Sequence, residues 1–105
     1  NIEEVFMSNI VELASFYLKK EVSLPDFFQI SDKFNNEFLS VQKGYISRKL
    51  LVNGEKWLDL VIWETMEDAQ NAVKEFYNSK PALEYASFML ENEGDLLHFS
   101  VQKSY

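Results

Sequence analysis

An Asn-Gly pair at positions 53 and 54 constrains the fold more than any other feature of the chain, because it separates two apolar runs. A type I′ turn needs a positive φ at both central residues, which asparagine and glycine tolerate best. The flanking runs, residues 45–52 and 55–63, are rich in the aliphatic and aromatic residues typical of strands. We therefore predict a β-hairpin whose two-residue loop is Asn53-Gly54.

This loop fixes a register in which Leu50 lies opposite Trp57 and Arg48 lies opposite Asp59. Side chains alternate between the two faces of a sheet. One face, called the mixed face below, then combines charged, aromatic and aliphatic residues: Ile46, Arg48, Leu50, Trp57, Asp59, Val61 and Trp63. The opposite face is mainly aliphatic: Tyr45, Ser47, Leu51, Leu58, Leu60 and Ile62. Because both faces are largely apolar, we expect the sheet to be covered on both sides.

Helix-start signals lie on either side of the hairpin. Ser23, followed by Leu-Pro-Asp, is placed to cap a first helix. Its apolar residues recur at helical spacing up to the stop at Gly44, and they are Phe27, Ile30, Phe34, Phe38 and Val41. Thr65 caps a second helix that ends near residue 79 and buries Ala69, Ala72, Val73 and Phe76. Pro81 opens a shorter helix with the apolar set Leu83, Ala86, Met89 and Leu90.

Residues 10–19 and 96–102 complete the pattern as the first and last strands. The order β-α-β-β-α-(α)-β, with right-handed crossovers, predicts an α+β ferredoxin-like domain with a four-stranded antiparallel sheet and both long helices on one face. We predict a single such domain over residues 10–105, preceded by an N-terminal leader, residues 1–9. The aliphatic face, together with Leu97, Phe99 and Val101, is expected to meet the helices.

The mixed face would then be open, with two tryptophans and, by parity, His98 upon it. Large exposed apolar patches usually mark partner surfaces. We therefore predict a homodimer in which the mixed faces of two sheets pack against each other.

Composition excludes several classes of function. A net charge of −7, with acids scattered along the chain, argues against binding nucleic acid or an anionic membrane surface. No apolar run approaches the roughly 20 residues of a membrane span. The absence of cysteine excludes a thiolate site and agrees with a cytoplasmic location, and a single histidine excludes a multi-histidine metal site within one protomer. We expect neither a metal nor a cofactor.

Two stretches resemble a known family. FLSVQKGYISR at residues 38–48 and WLDLVIWETMEDA at residues 57–69 are similar to the antibiotic biosynthesis monooxygenase-like superfamily of dimeric α/β-barrel proteins, and the resemblance extends over residues 10–102. It implies a ferredoxin-like protomer, a sheet-to-sheet dimer, and a ligand cavity beside the helices or inside the barrel. The family includes cofactor-free quinol-type monooxygenases, haem-degrading enzymes and isomerases.

The residues of this chain do not match those of the haem-degrading branch of the family. That branch pairs an asparagine on the first strand with a histidine and a tryptophan on the second helix. The first strand here offers Glu12, Ala14 and Ser15, and the second helix carries Ala72 and Val73 in that region. The quinol monooxygenase branch relies on substrate-driven oxygen activation, which leaves no fixed motif to compare.

Five residues of the mixed face are candidate site residues. We predict catalytic roles for His98, as a base near neutral pH, and for Asp59, as a proton acceptor. We predict that Arg48 binds an anionic substrate group and that Trp57 and Trp63 line an aromatic pocket. Structural alternatives remain open for each: a hydrogen-bonded histidine, a cross-strand Arg48–Asp59 ion pair, and tryptophans that pack in the core or at the dimer interface.

These features support two hypotheses of function. The first is a small-molecule-binding homodimer with a pocket on the sheet. The second is a cofactor-independent monooxygenase, or an isomerase, that acts on an aromatic or quinol-like metabolite. A purely structural dimer with a filled barrel is a third possibility.

Overall fold

In the structure, a computed structural model that describes residues 9–105, the elements follow the predicted order. The strands are β1 (Ile10–Phe16), β2 (Tyr45–Asn53), β3 (Lys56–Trp63) and β4 (Leu96–Ser100); the helices are α1 (Leu24–Glu37), α2 (Met66–Phe76) and α3 (Lys80–Ala86), with a 3₁₀ turn at Leu39–Val41. The strands form one antiparallel sheet in the order β2-β3-β1-β4. The ferredoxin-like α+β fold is therefore confirmed, while residues 1–8 of the predicted leader lie outside the described residues.

Hydroxyl side chains cap all three helices. The Asp26 amide donates to Ser23 Oγ at 3.3 Å, and the Asp68 amide donates to Thr65 Oγ1 at 3.0 Å, so both predicted caps are confirmed. The third helix, which Pro81 was predicted to open, uses Ser79 in the same way. No helix of residues 9–105 is both long and apolar enough to cross a membrane.

The predicted register of the hairpin is wrong by two residues. Val52 pairs with Trp57 and Asn53 with Lys56, so the loop is Gly54-Glu55. Gly54 has a φ of +63°, and a positive φ at the first central residue alone is the pattern of a type II′ turn. Asn53 can therefore stay in β2. Because the shift is an even number of residues, the side chains of the hairpin keep their predicted faces.

A bulge at the start of β2 changes the position of Tyr45. Tyr45 pairs with Trp63 but Ser47 pairs with Ile62, so Ile46 is the extra residue. Tyr45 therefore shares the face of Trp63, and the two rings meet edge to face with centroids 6.2 Å apart. The predicted placement of Tyr45 on the aliphatic face is wrong.

The helices cover the mixed face, so the predicted assignment of the two faces is inverted. Asp59, Val61 and Trp63 are buried, and Phe27 and Phe34 of α1 belong to the same core cluster. The aliphatic face is the open one: Leu97 and Phe99 of β4 are each 49% exposed. The physical reason is that the charged groups of the mixed face find their hydrogen-bond partners on α1 and α3.

Helix α3 also turns a different side to the core than its apolar pattern indicates. Ala82 and Tyr85 are buried, whereas Leu83 and Leu90 of the predicted apolar set are exposed. The Tyr85 hydroxyl donates to Asp59 Oδ2 at 2.7 Å, and this bond orients the helix. A polar contact between α3 and the sheet thus outweighs the burial of Leu83.

Candidate ligand cavity between the sheet and the helices

A cavity of about 340 Å³ lies between the helix-covered face of the sheet and the helices. This volume lies in the range of roughly 300–1,000 Å³ that small-molecule sites occupy. Aromatic rings supply much of its wall: Phe16, Phe34, Phe38, Trp63, Phe76 and Tyr85. Glu12 and Asp59 contribute carboxyl groups, and the loop of residues 92–95 lies at one side. The cavity is therefore an aromatic compartment with a few polar groups.

Gly94 allows that loop to approach β1 closely. Its φ is +123°, and a Cβ at this position would overlap the carbonyl oxygen of Ser15. The Asp95 amide donates to Ser15 Oγ at 2.8 Å, and the Ser15 amide donates to the Asp95 carbonyl at 2.9 Å. The loop is thus fastened to the strand that carries Glu12.

Arg48 and Asp59 form the first polar cluster beside the cavity. Arg48 Nε donates to Asp59 Oδ1 at 2.7 Å, and both side chains are only 7% exposed. The guanidinium also donates to Ser31 Oγ at 2.8 Å and to the Tyr85 hydroxyl at 3.0 Å. Tyr85 in turn donates to Asp59 Oδ2. The predicted cross-strand ion pair is confirmed, as a diagonal pair within a satisfied buried network.

Burial and charge act on this network in opposite directions. Burial alone would lower the pKa of Arg48, but its interactions with Asp59 and Tyr85 together outweigh burial and leave that pKa above its ordinary value. Burial raises the pKa of Asp59, although Arg48 and Tyr85 oppose the shift. Burial also raises the pKa of Tyr85, and Asp59 adds to the increase. Arg48 stays charged and Tyr85 stays protonated, so this cluster holds α1 and α3 on the sheet.

Glu12 and His98 form the second polar cluster. The two residues pair directly across β1 and β4, and Glu12 Oε1 lies 2.8 Å from His98 Nε2. Burial raises the pKa of Glu12 above its ordinary 4.5, and the contact with His98 opposes part of that shift. The carboxyl group is therefore a base in a partly dry site, and such groups recur at catalytic centres.

Trp63 contributes a buried donor without an acceptor. Its side chain is fully buried and lines the cavity, and its indole Nε1 meets no partner with hydrogen-bond geometry within residues 9–105. The indole lies close enough to Glu12 to favour the charged carboxylate. Buried polar atoms are normally bonded, and the Glu12 carboxylate beside this N–H is an acceptor of the right kind.

Glu12→Gln tests the raised pKa of Glu12. In the window between 4.5 and the raised pKa, the folded state binds more protons than the unfolded state, so stability falls as pH rises. We expect the variant to lose this slope, to be more stable than the wild type at pH 7, and to match it well below pH 4.5. Urea unfolding from pH 3 to pH 7 checks this. Glu64→Gln, an exposed residue, is the control and should follow the wild type; unchanged slopes in Glu12→Gln would contradict the prediction.

The structure brings together only some of the predicted site residues. Asp59 and Trp63 line the cavity. His98 does not line it but contacts Glu12, which does. Arg48 faces a separate polar groove beside α1, and Trp57 packs against Phe16 with ring centroids 6.4 Å apart, outside the cavity wall. The catalytic and binding roles of these five residues stay predictions.

Two polar residues of the cavity, Glu12 and Tyr85, were not among the predicted site residues. Glu12 shares one face of the first strand with Ile10 and Ala14, and a carboxylate on the apolar side of a strand is a usable signal. Tyr85 gave no such signal, because its role depends on how α3 rotates. Within residues 9–105 no group of three or more potential ligands among His, Cys, Asp and Glu is placed to hold a metal ion.

Comparison with known proteins gives matches in structure only. No family model matches the chain, and no curated protein matches it in sequence. A mutant of SnoaB, a cofactor-independent oxygenase from Streptomyces nogalater, superimposes with a TM-score of 0.67 and 12% identity, over 91% of this chain and 95% of that one.

Two further solved structures match to the same degree. A monooxygenase from the gene ActVA-Orf6 of Streptomyces coelicolor, solved in complex with nanaomycin D, gives a TM-score of 0.66 and 8% identity over 94% of this chain and 92% of that one. A conserved protein from Methanosarcina mazei Go1 gives a TM-score of 0.66 and 19% identity over 89% of this chain and 92% of that one. At these identities the similarity establishes architecture and not activity. The chain therefore has the fold of the antibiotic biosynthesis monooxygenase-like proteins.

Proposed function

We propose that this protein binds a small, largely apolar ring compound in the cavity between the sheet and the helices. The observation that carries the proposal is the cavity itself, an aromatic compartment of about 340 Å³ that contains the carboxyl group of Glu12 and the unpartnered N–H of Trp63. Apolar walls with a few polar groups are typical of small-molecule sites. A monooxygenase of this fold, from the gene ActVA-Orf6, has been solved in complex with the ligand nanaomycin D, which supports the proposal.

Cofactor-independent oxygenation is the second candidate, and Glu12 is the observation that favours it. Its carboxylate, with a raised pKa and with His98 behind it, is suited to take the proton from a ring hydroxyl. The electron-rich ring would then reduce O₂ itself: in a hydroquinone, one ring C–H becomes C–OH, the two hydroxyl groups become the carbonyls of a quinone, and the second oxygen atom leaves as water. SnoaB, of the same fold, is a cofactor-independent oxygenase.

Oxygen uptake separates the two candidates. A panel of hydroquinones and dihydroxynaphthalenes is mixed with the protein, and both oxygen consumption and the melting temperature are recorded. Thermal stabilisation by at least one compound is expected from binding alone, since a ligand of the folded state raises its stability. Ala72→Phe, which places a ring in the cavity wall, should abolish that stabilisation. Stabilisation without oxygen uptake would reject the oxygenase candidate for this class of substrate.

We also propose that the protein is a homodimer in which the open aliphatic faces of two sheets pack together. Apolar side chains from all four strands share this face: Val11, Leu13, Leu51, Leu58, Leu60, Ile62, Leu97 and Phe99. Contiguous apolar patches that stay exposed on a monomer usually mark interaction sites. A second copy is the expected occupant because a symmetric interface needs only one self-complementary face. The expected cytoplasmic location stays a prediction.

Leu97→Asp tests the dimer. A carboxylate on the open face would have to be buried without a partner in the interface, so we expect the variant to run as a monomer at micromolar concentration while the wild type runs as a dimer. Light scattering measures the mass. Leu83→Asp is a matched control, because Leu83 is 47% exposed, against 49% for Leu97, but lies on α3. A wild-type monomer, or dissociation by both variants, would count against this interface.

A further inference from the structure

We propose that the loop of residues 91–94 is a gate to the cavity between the sheet and the helices, and that Ser15 of β1 holds this gate closed. The gate belongs to the proposed binding function, on which this inference rests. It goes further because it assigns the entrance of the cavity and the residue that controls passage. Its test needs no ligand, so the gate and the binding function can fail separately.

The exposed residues of the cavity wall locate the entrance. Most of the residues that line the cavity are buried or half-buried, and Phe16, Phe34 and Trp63 are among the buried ones. Of the lining residues that the structure describes, the exposed ones lie on two segments: Tyr77, directly after α2, and residues 90–96 before and at the start of β4. The entrance therefore lies between the C-terminal end of α2 and this second segment.

The loop of residues 91–94 is the part of the entrance that can move at the lowest cost. Ala14 pairs with Leu96, and Leu18 pairs with Met89. Four residue steps thus separate the two positions on one side and seven on the other, so the loop bulges out of the strand pairing. Residues 91–94 are all exposed, and segments with few buried contacts open at a small free-energy cost. The loop can therefore move while the sheet and the helices stay in place.

Hydrogen bonds fasten the loop differently at its two ends. At the α3 end, the Leu90 amide donates to the Tyr17 carbonyl at 2.9 Å. At the β4 end, Ser15 and Asp95 exchange two bonds, and the one from the Asp95 amide to Ser15 Oγ depends on a side chain. Gly94 can rest against the Ser15 carbonyl because it has no Cβ. Loops that cover cavities commonly open and close on such local contacts. The closed position thus depends on Ser15.

Trp63 can report the opening of the gate, because its side chain is fully buried and lines the cavity. In a Trp57→Phe background it is the only tryptophan. Quenching of its fluorescence by acrylamide, a small neutral molecule, then measures access to the cavity. We expect slow quenching in this background. Ser15→Ala should raise the quenching rate constant about threefold to tenfold, the change in the open population expected when one hydrogen bond of ordinary strength is lost.

Gly94→Ala is the second variant, and Gly54→Ala is its matched control. In Gly94→Ala, a Cβ would overlap the Ser15 carbonyl oxygen in the closed position, so the quenching rate constant should rise further than in Ser15→Ala. Gly54 also has a positive φ, but it lies in the hairpin loop with open space around it. Gly54→Ala therefore strains the backbone without touching the gate, and its quenching should equal that of the background.

Three results would overturn the gate. The first is unchanged quenching in Ser15→Ala and Gly94→Ala when circular dichroism shows that the variants fold. The second is an equal increase in Gly54→Ala, which would indicate a general loosening of the protein. The third is quenching of Trp63 in the Trp57→Phe background as fast as that of free indole. The proposed binding function would survive all three, and it fails instead if no compound of the hydroquinone and dihydroxynaphthalene panel stabilises the protein.

Discussion

Replacing Asp59 by asparagine lowers the free energy of unfolding by about 3–5 kcal/mol, the loss expected when one partner of a buried ion pair is removed. The change preserves the size of the side chain but leaves the Arg48 guanidinium buried without a countercharge. It also exchanges the acceptor of the Tyr85 hydroxyl for a weaker one. Urea unfolding at pH 7, followed by tryptophan fluorescence, measures the loss.

A double variant separates the ion pair from simple packing. Arg48→Met combined with Asp59→Leu removes both charges, so it should cost clearly less than the two single changes added together. Glu84→Gln is the matched control. It breaks the contact between Lys33 and Glu84, which has a similar distance of 3.0 Å but much more exposed side chains, and should change stability little. A small effect of Asp59→Asn, similar to that of the control, would show that the buried cluster does not hold the helices on the sheet.

Phe34→Ala should have an effect of the same size, about 3–5 kcal/mol, because it removes a buried ring from the centre of the helix layer. Phe34 stacks on Tyr85 with centroids 4.2 Å apart, and the Arg48 guanidinium lies 5.3 Å from its ring centroid. The change would therefore loosen both the aromatic core and the ion-pair cluster. Because Phe34 lines the cavity, it would also enlarge the ligand site.

Phe28→Ala provides the comparison on the same helix. Phe28 is 45% exposed and lies at the outer end of the aromatic cluster, so its removal should cost much less than that of Phe34. Thermal and urea unfolding of the two variants give the contrast directly. Equal losses for both would mean that the core does not centre on the stack of Phe34 and Tyr85.

Local signals in the sequence were sufficient for the order of the elements and for the fold. The caps at Ser23 and Thr65 depend on groups only three residues apart, so their chemistry is visible in the sequence. The hairpin was located correctly, but its register was not. The choice between a type I′ and a type II′ turn shifts the loop by one residue, and both turns accept glycine at position 54.

The face of the sheet that meets the helices could not be derived from hydrophobicity, since both faces are largely apolar. The deciding contacts join distant parts of the chain: Arg48 with Asp59 and Ser31, and Tyr85 with Asp59. Such long-range polar contacts produce no periodic pattern in the amino-acid sequence. The same limit applies to the contact of Glu12 with His98, which lies 86 residues further along the chain.

A crystallographic screen of uncharged ring fragments would show directly whether the cavity between the sheet and the helices is a binding site. We expect fragments to cluster in this cavity, with polar atoms directed at Trp63 Nε1 and at the Glu12 carboxyl group. The claim would be contradicted if the cavity stayed empty while the same fragments occupied other surfaces of the protein.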